Sequence, residues 1–212
     1  VSIHLENIGK KYNRQWLYRK LNYEFIQNGS YSVTGHNGSG KSTLIKMLLG
    51  YVMPTEGEIR WELPNKTEPE NLYHKLAFCA PYSDLPEEFT LTEVLNWYFG
   101  FKPIVQGMDI HQLITIGRFT KDTGKTVSQF SSGMKQRLKL LMALHTDVPL
   151  LLLDEPTSNL DSFNTDWYLE HIQAIAGKRT VIIASNEPKE YSFCEFELNL
   201  SNFAPTEHLS SF

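Results

Sequence analysis

Apolar positions recur along the chain with two periods, and the elements they predict alternate. Alternating or β-branched stretches predict strands near Ile3–Ile8, Leu21–Ile26, Tyr31–Thr34, Glu58–Trp61, Leu76–Cys79, Leu150–Leu153 and Val181–Ala184. Helical spacing predicts helices over Ser42–Leu49, Met134–Leu144 and Asp166–Ile175. Leu150–Leu153 contains no polar position, the pattern of a parallel strand covered on both faces. Strands interleaved with helices in this way predict an α/β core. From Pro86 to Gln129 the pattern changes. Helix-like patches at Leu91–Phe99 and Ile110–Ile116 are broken by Gly100, Pro103, Gly107 and Gly124. Residues 86–129 are therefore expected to form a small lobe inserted within one domain spanning 1–212.

Composition narrows the class. The chain has 212 residues, with 20 Lys plus Arg against 24 Asp plus Glu and a formal net charge of −4. The mild negative charge argues against sequence-independent nucleic-acid binding, so no nucleic-acid partner is expected. No apolar run approaches the roughly 18 residues that span a bilayer, and with Glu6 so close to Val1 no signal peptide is expected in this sequence. Cys79 and Cys194 lie in apolar stretches without metal-ligand spacing, which fits a reduced, cytoplasmic setting.

The strongest chemical motif is Gly35-His36-Asn37-Gly38-Ser39-Gly40-Lys41-Ser42. It fits G-x-x-x-x-G-K-[ST], follows the predicted strand Tyr31–Thr34 and opens a predicted helix. In such a loop the backbone amides and the helix N-terminus bind phosphate oxygens. Gly35, His36, Asn37, Gly38, Ser39, Gly40, Lys41, Ser42 and Thr43 are the expected nucleotide-binding residues. Lys41 is expected to reach the β- and γ-phosphates and Ser42 to ligate Mg²⁺. The apolar strand Leu150–Leu153 ends in Asp154-Glu155. Ligands of open α/β sheets bind at the carboxyl ends of strands, so this acid pair is expected beside the phosphate loop. Asp154 would then hold Mg²⁺, and Glu155 would polarise the water that attacks the γ-phosphate.

A third group of residues completes a pattern. Phe130-Ser131-Ser132-Gly133-Met134 runs into Lys135-Gln136-Arg137, upstream of Asp154-Glu155-Pro156-Thr157 and Ser158-Asn159-Leu160-Asp161. Ser131 reads as a helix N-cap with free amides behind it at Ser132 and Gly133. Together these motifs resemble the ATP-binding domain of ABC transporters over nearly the whole chain. The segment Phe130–Met134 resembles that family's Leu-Ser-Gly-Gly-Gln signature, Ser158–Asp161 its D-loop, and Tyr12 the aromatic that stacks on adenine.

The resemblance implies a P-loop NTPase core with a mainly parallel sheet and flanking helices. It also implies an antiparallel β subdomain and an inserted helical subdomain. The implied cofactors are ATP and Mg²⁺. In the family, Ser131, Ser132 and Gly133 serve the nucleotide of an opposing protomer, which implies a homodimer or heterodimer of ATPase subunits. The implied partner is an integral-membrane permease on a separate chain, with this chain peripheral at the inner face of the membrane. A degenerate protomer paired with an active ATPase subunit, or a non-transport ABC ATPase, are the alternatives.

Besides the milder changes of Ser132 for glycine and Met134 for glutamine in the signature, two residues expected of the family are missing. Its glutamine after the strand Leu76–Cys79 is replaced by Pro81, and Asn186 stands where the family carries a histidine after Thr180–Ser185. His171 and His208 do not fit that slot. Asn186 can donate a hydrogen bond to a γ-phosphate but carries no charge and shuttles no proton. The expected activity is therefore ATP hydrolysis with Glu155, Lys41 and Asn186 as catalytic residues, slowed by the two replacements.

Overall fold

The computed structural model describes residues 1–62 and 69–205; His208 lies outside them. Two sheets form the scaffold. Strands β1 (Ser2–Tyr12), β2 (Gln15–Phe25) and β4 (Glu56–Glu62) make an antiparallel sheet in the order β2-β1-β4. Strands β3 (Ser30–Thr34), β5 (Leu76–Cys79), β6 (Leu150–Asp154), β7 (Thr180–Ala184) and β8 (Phe196–Asn199) make a parallel sheet in the order β5-β6-β7-β3-β8.

The uninterrupted leucines of β6 follow from its position. Leu150 and Leu152 face one core, with Tyr31, Val33, Ile182 and helix α1 (Lys41–Leu48). Leu151 and Leu153 face the other, with Val181, Ile183, α4 (Ser132–Leu144) and α5 (Ser162–Ile175). With both faces covered, a polar side chain in the strand would be buried and need a hydrogen-bond partner, as Asp154 at its end has in Tyr82. Helices α2 (Leu91–Phe101) and α3 (Ile110–Ile116) lie in the chain between β5 and β6, and each opens on a capping box, Thr90 with Glu93 and Asp109 with Gln112. This is a P-loop NTPase core with flanking helices and an added antiparallel sheet, as the resemblance implies.

All seven predicted strands are present, and three features go beyond the sequence reading. Strand β2 begins at Gln15, not Leu21; its first half, Gln-Trp-Leu-Tyr-Arg-Lys, lies on the edge of its sheet, where polar side chains face solvent. Among the described residues strand β8 pairs only with β3, and a short helix α6 (Pro188–Tyr191) precedes it. Helix α5 starts four residues earlier than Asp166 because Asp161 caps it, accepting from the Asn164 amide at 2.8 Å.

Candidate nucleotide site

The phosphate loop joins β3 to α1. Gly40, the N-cap of α1, has φ 97°, and a Cβ there would come 2.7 Å from Tyr18 Cε1. Glycine is thus required twice, by the left-handed backbone and by the aromatic ring beneath it. Among the described helices of eight residues or more, α2, α4 and α5 have their first amides capped by Thr90, Ser131 and Asp161. Helix α1 has no side-chain cap and no acid in its first turn. Its amides and the positive end of its dipole are left for an external anion.

Lys41 folds back over the loop. Its Nζ donates to Gly35 O at 2.9 Å and His36 O at 3.4 Å. Burial lowers its pKa, while the nearby carboxylates of Glu155 and Asp154 act in the opposite sense. The ammonium is thus held by weak neutral acceptors with two acids close by, an arrangement that a phosphate can outbid.

Asp154 ends β6 in a buried position. Burial raises its pKa, opposed by the neighbouring Ser42 hydroxyl and by the hydrogen bond from Tyr82. Its Oδ1 is buried and has no partner among the described residues. An orphaned carboxylate oxygen beside the Ser42 hydroxyl is the donor set that a phosphate-bound Mg²⁺ needs, since that ion keeps most of its ligands as water and phosphate. No cluster of three or more His, Cys, Asp or Glu forms a protein cage among the described residues.

Glu155 is the exposed first residue after the strand and takes φ 44°. That left-handed backbone costs about 1–2 kcal/mol for a residue with a Cβ. The surroundings impose it. The Glu155 amide donates to Ala184 O at 2.9 Å, and Gln136 Nε2 of α4 donates to Pro156 O at 2.8 Å. The Thr157 amide donates to Glu190 Oε1 at 2.7 Å. The turn carrying Glu155 is therefore held from three elements. Asn186, beyond β7, donates through Nδ2 to Asn37 Oδ1 and so reaches the phosphate loop itself.

Tyr12 closes the long hairpin β1–β2, whose turn residue Asn13 takes φ 53°. Half-exposed, it lines a cavity of about 730 Å³ with Arg14, Trp16, His36, Gly38 and Ser39. An aromatic ring thus borders the same space as the phosphate loop. The signature residues lie elsewhere. Ser131 caps α4 by accepting from the Met134 amide at 3.2 Å. Ser132 lines a different cavity, with Pro81, Asp84 and Lys135. Gly133 has a role within its own chain, since a Cβ there would meet Asn159 O at 2.7 Å. Lys41, Ser42, Asp154, Glu155 and Asn186 are brought together around the loop, whereas Ser131, Ser132 and Gly133 are not.

The sequence reading passed over Tyr82, whose hydroxyl donates to Asp154 Oδ2 at 2.8 Å. Burial and the Asp154 carboxylate push its phenol pKa up, so the ring stays a donor. The signal was slight: a hydroxyl-bearing residue next to Pro81, in the loop after β5. Lys139 was also missed. From α4 it donates to Ala80 O, Pro81 O and Ser83 O at 2.8, 3.0 and 3.3 Å, pinning that loop.

Comparison with known proteins agrees with this geometry. Residues 18–158 match the family model described as ABC transporter. The chain is 31% identical over 190 residues to ABC transporter I family member 1 of Arabidopsis thaliana, covering 87% of this chain and 81% of that protein. It is 28% identical over 195 residues to Nod factor export ATP-binding protein I of Bradyrhizobium diazoefficiens, covering 90% of this chain and 64% of the relative's length. Among solved structures, a bacterial ABC transporter cassette in dimeric form superposes with a TM-score of 0.77 at 21% identity, over 93% of this chain and 94% of that one. No described helix is long and apolar enough to cross a membrane. A family match over residues 18–158, with a relative 31% identical over most of both chains, makes this chain a member of the ABC transporter family of ATP-binding domains.

Proposed function

We propose that this chain is the ATP-binding subunit of an ABC transporter, which binds ATP with Mg²⁺ and hydrolyses it slowly to drive a separate transmembrane subunit. The observation that carries the reading is the uncapped N-terminus of α1 beneath Lys41, facing the acids of β6. On ATP binding, Lys41 exchanges the carbonyls of Gly35 and His36 for phosphate oxygens, and the first amides of α1 donate to the same anion. Tyr12 stacks on the base. Ser42 and Asp154 are the residues that would hold Mg²⁺, whose chemistry there is to neutralise phosphate charge. Glu155 orients the attacking water and accepts its proton as the bond to the γ-phosphorus forms and the β–γ bridge breaks. Asn186 donates a hydrogen bond without supplying charge.

The separation of Ser132 from the phosphate loop supports a working unit of two protomers, in which each signature serves the other's nucleotide. Pairing with an unlike ATPase subunit is the second reading, favoured by Pro81 and Asn186. Phosphate release by the purified chain at high concentration tests both. Turnover that rises with protein concentration and disappears in Glu155→Gln supports a self-sufficient homodimer. ATP binding without Glu155-dependent phosphate release supports the heterodimer, and absence of ATP binding removes the proposal. Co-purification of a membrane protein is the expected result for the transport partner. The location follows from that partner: cytoplasmic, at the inner face of the membrane.

A further inference from the structure

The loop after β5 lacks the family's glutamine, yet it still sends a side chain to the metal-site acid. We propose that Tyr82 is a positioning residue for Asp154: it holds the carboxylate by Oδ2 and so keeps the buried Oδ1 free for the Mg²⁺ shell. The inference rests on the ATP-binding reading above and adds a residue to it.

The hydrogen bond from Tyr82 to Asp154 Oδ2 is 2.8 Å long, and Oδ1 of the same carboxylate is buried without a partner. A buried acceptor left unpaired is costly, so a fixed second oxygen that keeps it so points to an external ligand. Tyr82 is 42% exposed but has contacts on its ring besides the hydroxyl's bond. Its ring lies 6.1 Å from Phe78, and the Lys46 ammonium sits 4.2 Å above its centroid. The loop backbone is held by Lys139, and the Ser83 hydroxyl donates to Ala80 O at 2.8 Å. A stiff aromatic on a clamped loop loses little rotamer freedom when it orients a neighbour. A glutamine amide offers both a donor and an acceptor, whereas a phenol bound to a carboxylate offers its proton. Tyr82 therefore acts through Asp154 instead of joining the metal's own ligands. Because Lys139 belongs to α4, the helix that Ser131 caps, the carboxylate is also tied mechanically to the signature helix.

The test reads binding, not turnover. Mn²⁺ affinity of the full chain with ATP is measured by electron paramagnetic resonance, and ATP affinity in EDTA by calorimetry. Tyr82→Phe is expected to weaken Mn²⁺ binding about tenfold, the lower end of what loss of a ligand's hydrogen-bond partner costs. ATP affinity in EDTA is expected to stay within about twofold. Tyr82→Gln, whose amide can donate, is expected to recover much of the loss. Unchanged Mn²⁺ affinity in Tyr82→Phe overturns the inference and leaves the ATP-binding reading intact. An equal loss in EDTA, or no recovery in Tyr82→Gln, overturns it in favour of a packing role. A native chain that binds no ATP under either condition overturns the functional reading itself.

Discussion

The loop after β3 and the loops after β5 and β7 border the proposed nucleotide site but are built on different terms. The first works largely through backbone: the amides of an uncapped helix, a left-handed Gly40 and a lysine that returns to its own loop. The others work through side chains, and there the residues have changed. Tyr82 reaches Asp154 from the loop after β5, and Asn186 reaches Asn37 from the loop after β7. A backbone-built half tolerates little variation in sequence because glycine and helix geometry are required outright. A side-chain half can exchange one donor for another while the fold stays the same. The difference separates nucleotide binding from hydrolysis, and substitutions on either side should part the two.

The largest effect is expected at Glu155. In the proposed mechanism Glu155→Gln removes the proton acceptor but keeps the strained turn, which Gln136, Glu190 and Ala184 hold through the backbone. Turnover should fall by about 10²–10⁴, the usual contribution of a general base. ATP affinity should change by less than about threefold. Single-turnover phosphate release and equilibrium binding on the same preparation check this. A loss of affinity as large as the loss of rate would show that the two halves are not separable.

Lys41→Ala tests the other half. The ammonium gives up two carbonyl bonds to meet phosphate, so the net loss is that of a charged hydrogen bond, about 1.5–3 kcal/mol. ATP affinity should fall by roughly 10- to 150-fold, measured by calorimetry without divalent metal. An affinity unchanged by this substitution would leave the amides of α1 as the whole phosphate site.

The same division explains what was legible in the sequence. Gly35–Ser42 could be read directly because its chemistry depends on spacing and on glycine, both visible in one dimension. Leu150–Glu155 could be read because burial on both faces forces an unbroken apolar run that ends in acids. Tyr82 could not, because its function comes from the approach of the β5 loop to the end of β6, 72 positions apart in the chain. The clamps on that loop and on Pro156 were hidden for the same reason: Lys139 and Gln136 look like ordinary polar positions of a helix, yet both are buried. Strand β8 was missed although Phe196–Asn199 alternates, because only two of its four residues are apolar, whereas β5, as short and on the opposite edge, is apolar throughout. The first half of β2 was missed because Trp16, Leu17 and Tyr18 run together without alternating with the polar Gln15, Arg19 and Lys20.

Gly133 links the two halves through α4. A Cβ there would lie 2.7 Å from Asn159 O, a backbone atom that cannot move aside cheaply. Gly133→Ala should cost about 1–3 kcal/mol, as overpacking does. For a chain of this size that is a fall of roughly 2–12 °C in thermal midpoint. It should also reduce turnover more than ATP affinity, since the displaced segment runs from the Glu155 turn to the Asp161 cap of α5. Differential scanning calorimetry with and without ATP checks the first part. An unshifted midpoint would mean that Asn159 moves freely and that the signature helix does not restrain the D-loop.

The smallest expected effect sharpens the contrast most, because it adds a group. Asn186 sits at the end of β7, with the Ser185 amide donating to Val33 O at 3.2 Å and its own side chain bonded to Asn37. Position 186 is therefore already aimed at the phosphate loop, and Asn186→His changes the donor without changing the backbone that aims it. An imidazolium strengthens the hydrogen bond to a phosphate oxygen by its charge. Turnover should rise about fivefold, near 1 kcal/mol of added stabilisation, and most below neutral pH, where the imidazole is protonated. ATP affinity should rise by less than turnover if the gain is realised in the transition state. The pH profiles of the native chain and of Asn186→His are the measurement. A gain that follows imidazole protonation in the variant alone would establish that the side-chain half limits hydrolysis. Superimposable profiles would shift the limit to another step and to the backbone that both proteins share.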